Sequence, residues 1–322
     1  MVHGSATTTV AASSYSVREH LGPLEFTFPG PDGTDRSLRF PYPKLFDLGD
    51  FPRRAEADLG VDAVETVAFQ FAGPDDPQLD RFAASLRQTG VRLVNVAIDT
   101  GDLLEPDDDR RDADVAGIIG WIDRCASMGT EFVRVNAGSP FRAGEPSPPD
   151  APHLISALRR LGEHAADRGT RLLIENHGGP SSDPAWVTEL LEQVGRDRVG
   201  LLLDLGNFDV LQQPATAHVL SAAEGGQPVP FPALVDALDL SPLYRAIDAL
   251  APLAELVHVK VHDVDDDGAM RAVDLGRALG ILGRHGYAGP LTIEYEGHGG
   301  DPWAKTAAIV AATRELAAAE VR

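Results

Sequence analysis

Apolar positions recur at helical spacing over Phe51 to Leu59, then crowd into a strand-like run over Ala63 to Phe71, and this switch of period repeats to the end of the chain. Further helical stretches are Pro77 to Thr89, Asp112 to Met128, His153 to Arg168, Pro184 to Val194, Pro242 to Leu250, Asp274 to His285 and Pro302 to Glu320. Between them lie strand-like runs at Val91 to Ile98, Glu131 to Asn136, Arg171 to Glu175, Val199 to Asp204, Leu256 to His262 and Leu291 to Tyr295. The first four helices before these strands stop at Gly60, Gly90, Gly129 and Gly169, each followed closely by a strand-like run. With a first strand inside Thr8 to Ser14, the count is eight strand–helix units, and no linker or composition break divides residues 1–322. Such alternation requires a parallel sheet with helices outside, and eight units favour closure into one α/β domain, a (β/α)8 barrel. An open doubly wound sheet is disfavoured, because no Gly-x-Gly-x-x-Gly follows any strand.

Two segments break the rhythm and read as insertions after strands one and six. The first, residues 23–44, holds the alternating pieces Leu24 to Phe28 and Ser37 to Phe40 around Pro29 to Gly33, which is hairpin chemistry. The second, residues 208–240, reads as long and irregular. Phe26, Phe28, Phe40, Tyr42, Phe231 and Pro232 give both segments a surface that buries against something, either as a lid of the same chain or as a contact with a partner.

Composition narrows the function classes. A net charge of -21 repels phosphate backbones and anionic membranes, so nucleic acid is not an expected partner. No apolar stretch reaches membrane-spanning length, and Met1 to Ser14 lacks the basic start and apolar core of a signal peptide. The single cysteine, Cys125, cannot form an internal disulfide and reads as a buried small hydrophobe on a helix. These features predict a soluble, cytoplasmic protein.

The candidate chemistry sits where apolar strands end in polar residues. Leu172-Leu173-Ile174 leads to Glu175, Leu201-Leu202-Leu203 to Asp204, Leu256-Val257 to His258, and Leu291-Thr292-Ile293 to Glu294. In a barrel these strand ends share one face, where active sites form. Three carboxylates and an imidazole suit manganese, magnesium, cobalt or zinc, and the lack of thiolates argues against a structural zinc site. A single strand-end acid commonly pairs with an arginine or caps a helix; four on four strands favour a metal. Asn207 lies three residues past Asp204, able to donate to the same site or only to its own turn. Lys260 shares a strand face with His258 and needs a counter-charge, which the carboxylates or an anionic substrate supplies. His177 is a candidate acid or base at the mouth, or a loop-packing residue. His262, Glu296 and Trp303 are weaker candidates at the mouth, and Glu65 and Asn136 line its floor or rim.

Through Ile174-Glu175-Asn176-His177-Gly178-Gly179, Asp204-Leu205-Gly206-Asn207, His258-Val259-Lys260 and Ile293-Glu294-Tyr295-Glu296-Gly297, the chain resembles the xylose isomerase-like sugar isomerase/epimerase superfamily of TIM barrels over essentially its whole length. The resemblance implies one divalent metal, manganese foremost, held by Glu175, Asp204, His258 and Glu294. It also implies that Glu175 and Glu294 move protons, giving isomerisation or epimerisation of a sugar through an enediolate. Many relatives have a histidine near the position of Asn207, and that departure leaves its role open. Tyr15 to Gly22 and the following insertion are similar to the α-subunits of bacterial C-glycoside deglycosidases, which implies an alternative, elimination of an aglycone from a 3-keto C-glycoside with a small β-subunit. Homo-oligomers are the other expected assembly. A metal-dependent endonuclease on this fold would use several metals and a basic groove, and a sugar-binding barrel without turnover would show no proton exchange; both are disfavoured.

Overall fold

A computed structural model describes residues 8–29, 35–137, 151–223 and 226–320. Eight parallel strands close into a barrel: β1 (Val10–Ser13), β4 (Ala63–Val67), β5 (Arg92–Ile98), β6 (Phe132–Val135), β7 (Arg171–Glu175), β8 (Val199–Asp204), β9 (Ala254–Val261) and β10 (Leu291–Tyr295). β1 pairs with both β10 and β4, so the ring has no free edge. The two remaining strands, β2 (Leu24–Pro29) and β3 (Asp35–Phe40), form the expected antiparallel hairpin after β1, with Phe26 opposite Leu38. Most of its turn, residues 30–34, lies outside the described residues, as does the side chain of Phe28.

The helices run as α1 (Phe51–Arg54), α2 (Pro77–Thr89), α3 (Asp108–Ser127), α4 (Pro152–Asp167), α5 (Pro184–Val194), α6 (Asp209–Ser221), α7 (Phe231–Val235), α8 (Ser241–Leu250), α9 (Leu275–Arg284) and α10 (Pro302–Glu320). α3 begins four residues earlier than its apolar spacing predicts, because Asp107 caps it by accepting from the Arg110 amide at 3.0 Å. β4 is shorter than the run Ala63 to Phe71, since Ala68–Gln70 turns into a 3-10 segment. The predicted helix over Phe51 to Leu59 is α1 followed by one wide turn, Ala55–Leu59, closed by Gly60 at φ 63°. The largest correction falls in residues 208–240, which are not irregular: α6 and α7 occupy much of them. Pro214 inside α6 and few buried apolar residues blur the helical spacing there, although Leu211 and Phe231 anchor the segment in the core.

Period-two alternation stacks the barrel interior in layers. Leu173, Leu202 and Leu256 form one buried cluster, each two residues below Glu175, Asp204 and His258. Two residues lower again, Gly200 leaves the space that the Glu255 carboxylate fills; a Cβ there would meet Glu255 Oε1 at 2.2 Å. Arg171 grips that carboxylate at 2.7 and 3.0 Å, placing an ion pair at the floor. The polar groups at the top therefore stand on an apolar layer and have water access only from the mouth. Cys125 is buried inside α3, and burial raises the pKa of its thiol, which fits a packing role.

Candidate active site

Glu175, Asp204, His258 and Glu294 come together at the C-terminal ends of β7, β8, β9 and β10. His258 Nε2 lies 2.9 and 3.0 Å from the two oxygens of Glu65, a buried acid on β4. With Nε2 turned onto both Glu65 oxygens, the other ring nitrogen points inward. His258 Nδ1 then lies 3.5 Å from Asp204 Oδ2, 3.5 Å from Glu294 Oε2 and 3.7 Å from Glu175 Oε1. That nitrogen and Asp204 Oδ2 are buried without a hydrogen-bond partner.

These gaps fit a shared cation. Donors about 2.0–2.2 Å from a tetrahedral ion are about 3.3–3.6 Å apart. Ligand atoms of Glu175, Asp204 and His258 lie within 4.8 Å of one another, as do those of Glu65, His258 and Glu294. Charge leads to the same conclusion. Glu65, Asp99, Glu175, Asp204, Glu294 and Glu296 surround the site, against the full cations Arg134 and Lys260. A divalent ion would offset this buried excess. Burial disfavours a charged His258, yet Glu65 and Glu294 lift its pKa well above the usual value, and a metal at Nδ1 would replace that proton.

Lys260 Nζ lies 3.2 Å from Asp204 Oδ2, 3.0 Å from Glu294 Oε2 and 3.1 Å from Glu296 Oε1, and donates to Asn207 Oδ1 at 3.2 Å. Its stem crosses directly over Gly206, where a Cβ would sit 3.0 Å from Lys260 Cγ and Cδ. Asn207 Nδ2 donates to Glu175 Oε1 at 3.0 Å, so this side chain links Glu175 to Lys260. Its amide also closes the turn onto Asp204 Oδ1 at 3.1 Å. Asn176 braces the strand tips by exchanging two bonds with the Asp204 backbone, at 2.8 and 2.9 Å.

Arg134 on β6 is a site residue that the sequence reading passed over. Its Nε lies 2.7 Å from Glu175 Oε2, and it also pairs with Asp99 and donates to Asn136 Oδ1 at 2.8 Å. An arginine inside the short apolar run Phe132 to Val135 was the available signal. Burial raises the Glu175 pKa, but Arg134, His177 and His258 outweigh it and hold the carboxyl well below its usual range. Glu294 is likewise desolvated, yet Lys260 and His258 hold it down to about 2. Asp204 goes the other way, because burial exceeds the pull of Lys260 and His258.

The remaining candidates divide. His177 is half-buried beside Glu175, its Nδ1 lacks a partner, and its amide donates to Ser181 Oγ at 2.8 Å. Glu296 bridges Lys260 to His262, whose Nε2 is 3.4 Å from Glu296 Oε2. Trp303 is not brought to the cage: it packs among Phe46, Phe51 and Arg54.

Both insertions close over this face. Phe40 stacks on His298 at 6.4 Å and Phe231 on His262 at 4.4 Å, so two of the aromatics singled out in the sequence are buried by the chain's own side chains. α6 docks on the loop after β7, where Gly178 lets Gln212 approach and Gly179 N donates to Gln212 Oε1 at 3.3 Å.

Fold and side chains together define a class, a (β/α)8 barrel with a carboxylate–imidazole cage at its C-terminal strand ends. The chain belongs to the xylose isomerase-like TIM-barrel family, whose profile matches residues 54–317. Among solved structures, an L-ribulose 3-epimerase aligns at 16% identity with TM-score 0.66, covering 98% of this chain and 96% of that one. A xylose isomerase-like TIM barrel protein from Mycobacterium smegmatis, in complex with magnesium, aligns at 18% identity with TM-score 0.59, covering 98% of both chains. The 3-keto-D-glucoside 4-epimerase of E. coli, in its apo form, aligns at 16% identity with TM-score 0.57, covering 81% of this chain and 92% of that one. At these identities the likeness speaks for the fold. No curated protein matches the chain. Among the described residues no helix is long and apolar enough to cross a membrane.

Proposed function

We propose that the protein is a divalent-metal-dependent sugar isomerase or epimerase, which moves a proton at a sugar carbon next to a carbonyl. The observation that carries this reading is His258 Nδ1, buried without a hydrogen-bond partner and facing Asp204, Glu175 and Glu294 at 3.5–3.7 Å. Glu175, Asp204, His258 and Glu294 hold the ion. When bound, a divalent cation acts as a Lewis acid toward the sugar oxygens and stabilises the charge that appears as the proton leaves. Manganese is the first choice for this donor set, with magnesium, cobalt and zinc as alternatives.

The protein's own groups do the rest. Arg134 and Lys260 hold Glu175 and Glu294 as carboxylates, the form that accepts a proton, while weakening each as a base. Their strands, β7 and β10, are separated by β8 and β9 around the barrel, so the two acids approach a bound sugar from different sides. One carboxylate takes the proton from the sugar carbon, and the other, once it has itself taken up a proton from a sugar hydroxyl or solvent, delivers it to the carbon, which inverts or relocates the centre. Lys260 adds fixed positive charge beside Glu294, where negative charge builds up. His177 is the alternative acid or base. Asn207, Lys260, Glu296 and Asn136 are the proposed sugar contacts, with Trp303 set apart from them.

The test is incubation of metal-loaded protein with L-ribulose, D-allulose and methyl 3-keto-D-glucoside in deuterated water. Deuterium entering the sugar at a carbon beside the carbonyl is the expected result. Loss of a β-substituent from the same intermediate would show as a released aglycone from a 3-keto C-glycoside and would move the enzyme to the lyases. No exchange on any of these sugars would remove the reading.

A further inference from the structure

The roof over the cage carries three imidazoles that the proposed proton transfers do not use. His218 comes from α6, His262 follows β9 and His298 follows β10; the His218 ring lies 4.9 Å from His298 and 6.4 Å from His262. All three side chains are more than nine-tenths buried. In each, Nε2 is shut off from solvent; those of His218 and His298 lack a hydrogen-bond partner, while that of His262 has only Glu296 Oε2 at 3.4 Å. Buried polar atoms in folded proteins are nearly always bonded, so the two orphans of His218 and His298, side by side, ask for a ligand.

Chemistry narrows the ligand. His218 Nδ1 is 2.6 Å from the Val229 carbonyl, which only accepts, so the proton sits on Nδ1 and Nε2 is an acceptor. Burial keeps that ring neutral by lowering its pKa to about 4. His298 Nδ1 is 2.9 Å from Glu19 Oε1, again turning Nε2 away from its partner. An acceptor nitrogen calls for a hydroxyl. Charge excludes an anion: Glu19 and Glu296 border the cluster, and the described cations nearby are engaged. Lys260 is held by Asp204, Glu294 and Glu296, Arg134 by Asp99 and Glu175, and Arg18 by the carbonyls of Tyr295, Glu296 and Gly297. Glu296 ties the cluster to the cage, since one oxygen faces His262 and the other Lys260.

We propose that His218, His262 and His298 form a hydroxyl-binding subsite for the end of the substrate remote from the reacting carbons, and that this substrate is an uncharged sugar or glycoside rather than a sugar phosphate. The inference rests on the sugar chemistry proposed for the cage and names its substrate class. Sugar hydroxyls at this subsite supply the bonds that the Nε2 atoms of His218 and His298 lack.

The test pairs binding with turnover on the metal-loaded full chain. Calorimetry with L-ribulose and D-allulose, against L-ribulose 5-phosphate and D-fructose 6-phosphate, is expected to show the phosphates binding at least tenfold more weakly. His218→Phe and His298→Phe should each raise KM or Kd for the neutral sugars roughly five- to tenfold, the loss of one or two neutral hydrogen bonds, while kcat falls less. His218→Gln should recover part of the affinity, and metal content and thermal midpoint identify a variant that has merely lost its fold. Tighter binding of the phosphates, or neutral-sugar affinity indifferent to all three variants, would overturn the proposal. Histidine-dependent sugar binding without deuterium exchange would sustain the subsite and remove the proton-transfer reading; exchange that ignores the histidines would do the reverse.

Discussion

His258 gives Nε2 to Glu65 at 2.9 Å and thereby commits Nδ1 to the centre of the carboxylate cage. The two residues are 193 positions apart and meet only because β4 and β9 face each other across the barrel. Glu65 is therefore an orienting group whose loss should weaken metal binding without removing a ligand. Glu65→Gln is expected to lower divalent-ion affinity by about 10- to 100-fold. Asp204→Ala and His258→Ala should lower occupancy further, because each deletes a donor. Elemental analysis after dialysis, with competition by a chelator, reads both effects. Equal metal content in all three variants would refute the cage.

Glu175 and Glu294 are expected to share the proton transfers. Glutamine at either position should cut turnover by roughly a hundredfold or more, the usual contribution of a general acid or base. Since each is also a proposed ligand, metal content must be measured alongside. A variant that keeps its metal and sugar affinity but loses solvent exchange supports the role. Exchange at the parent rate in both variants transfers the role to His177.

Much of this arrangement was legible in the chain. Apolar runs ending at Glu175, Asp204, His258 and Glu294 signalled strands covered on both sides with chemistry at their tips, and the structure brings these four together. Glu65 was visible as a lining acid, but its bond to His258 was not, because strand periodicity carries no information on what faces a residue across a barrel. Arg134 was hidden by its setting: a charged residue in a four-residue strand resembles an interruption, and its worth appears only once Glu175 and Asp99 lie on either side. α6 escaped because Pro214 breaks the spacing and the helix buries few apolar residues. Its docking depends on Gln212 and His218, polar side chains whose contacts are tertiary.

Two glycines separate stability from function. Gly200 faces Glu255 at the floor, and a Cβ there would lie 2.2 Å from Glu255 Oε1 and 2.8 Å from Leu173 Cδ2. Gly200→Ala must displace the carboxylate bonded to Arg171, and a loss of about 1–3 kcal/mol is expected from overpacking. Gly206→Ala meets the Lys260 stem at 3.0 Å, a tight contact that the side chain can relieve by shifting. That shift moves an ammonium pinned at 3.0–3.2 Å among Asp204, Glu294, Glu296 and Asn207. Denaturant unfolding should therefore find Gly200→Ala the less stable, and turnover should find Gly206→Ala the more impaired. The opposite ranking in both measurements would contradict the placement of Lys260 over Gly206.

The roof also sets a pH dependence. Burial lowers the His218 pKa from 6.5 to about 4; His298, His262 and Arg18 add to this, and the bond to the Val229 carbonyl only partly opposes it. The folded protein thus keeps His218 neutral at a pH where the unfolded chain already binds a proton. Above pH 6.5 neither state is protonated there, and His218 contributes no slope. Between about 6.5 and 4 the unfolded state gains the proton first, so stability falls as the pH falls, and below about 4 both states carry it and the loss levels off. Carboxylates titrate in the lower part of the same range, so the comparison must be with a variant lacking only this group. His218→Phe loses the Val229 bond at every pH but has no proton to gain. Its thermal midpoint is therefore expected to lie furthest below the parent near pH 7.5 and to approach it as the pH is lowered toward 4. A gap that stays constant across that range would mean that His218 titrates as freely in the folded chain as in the unfolded one.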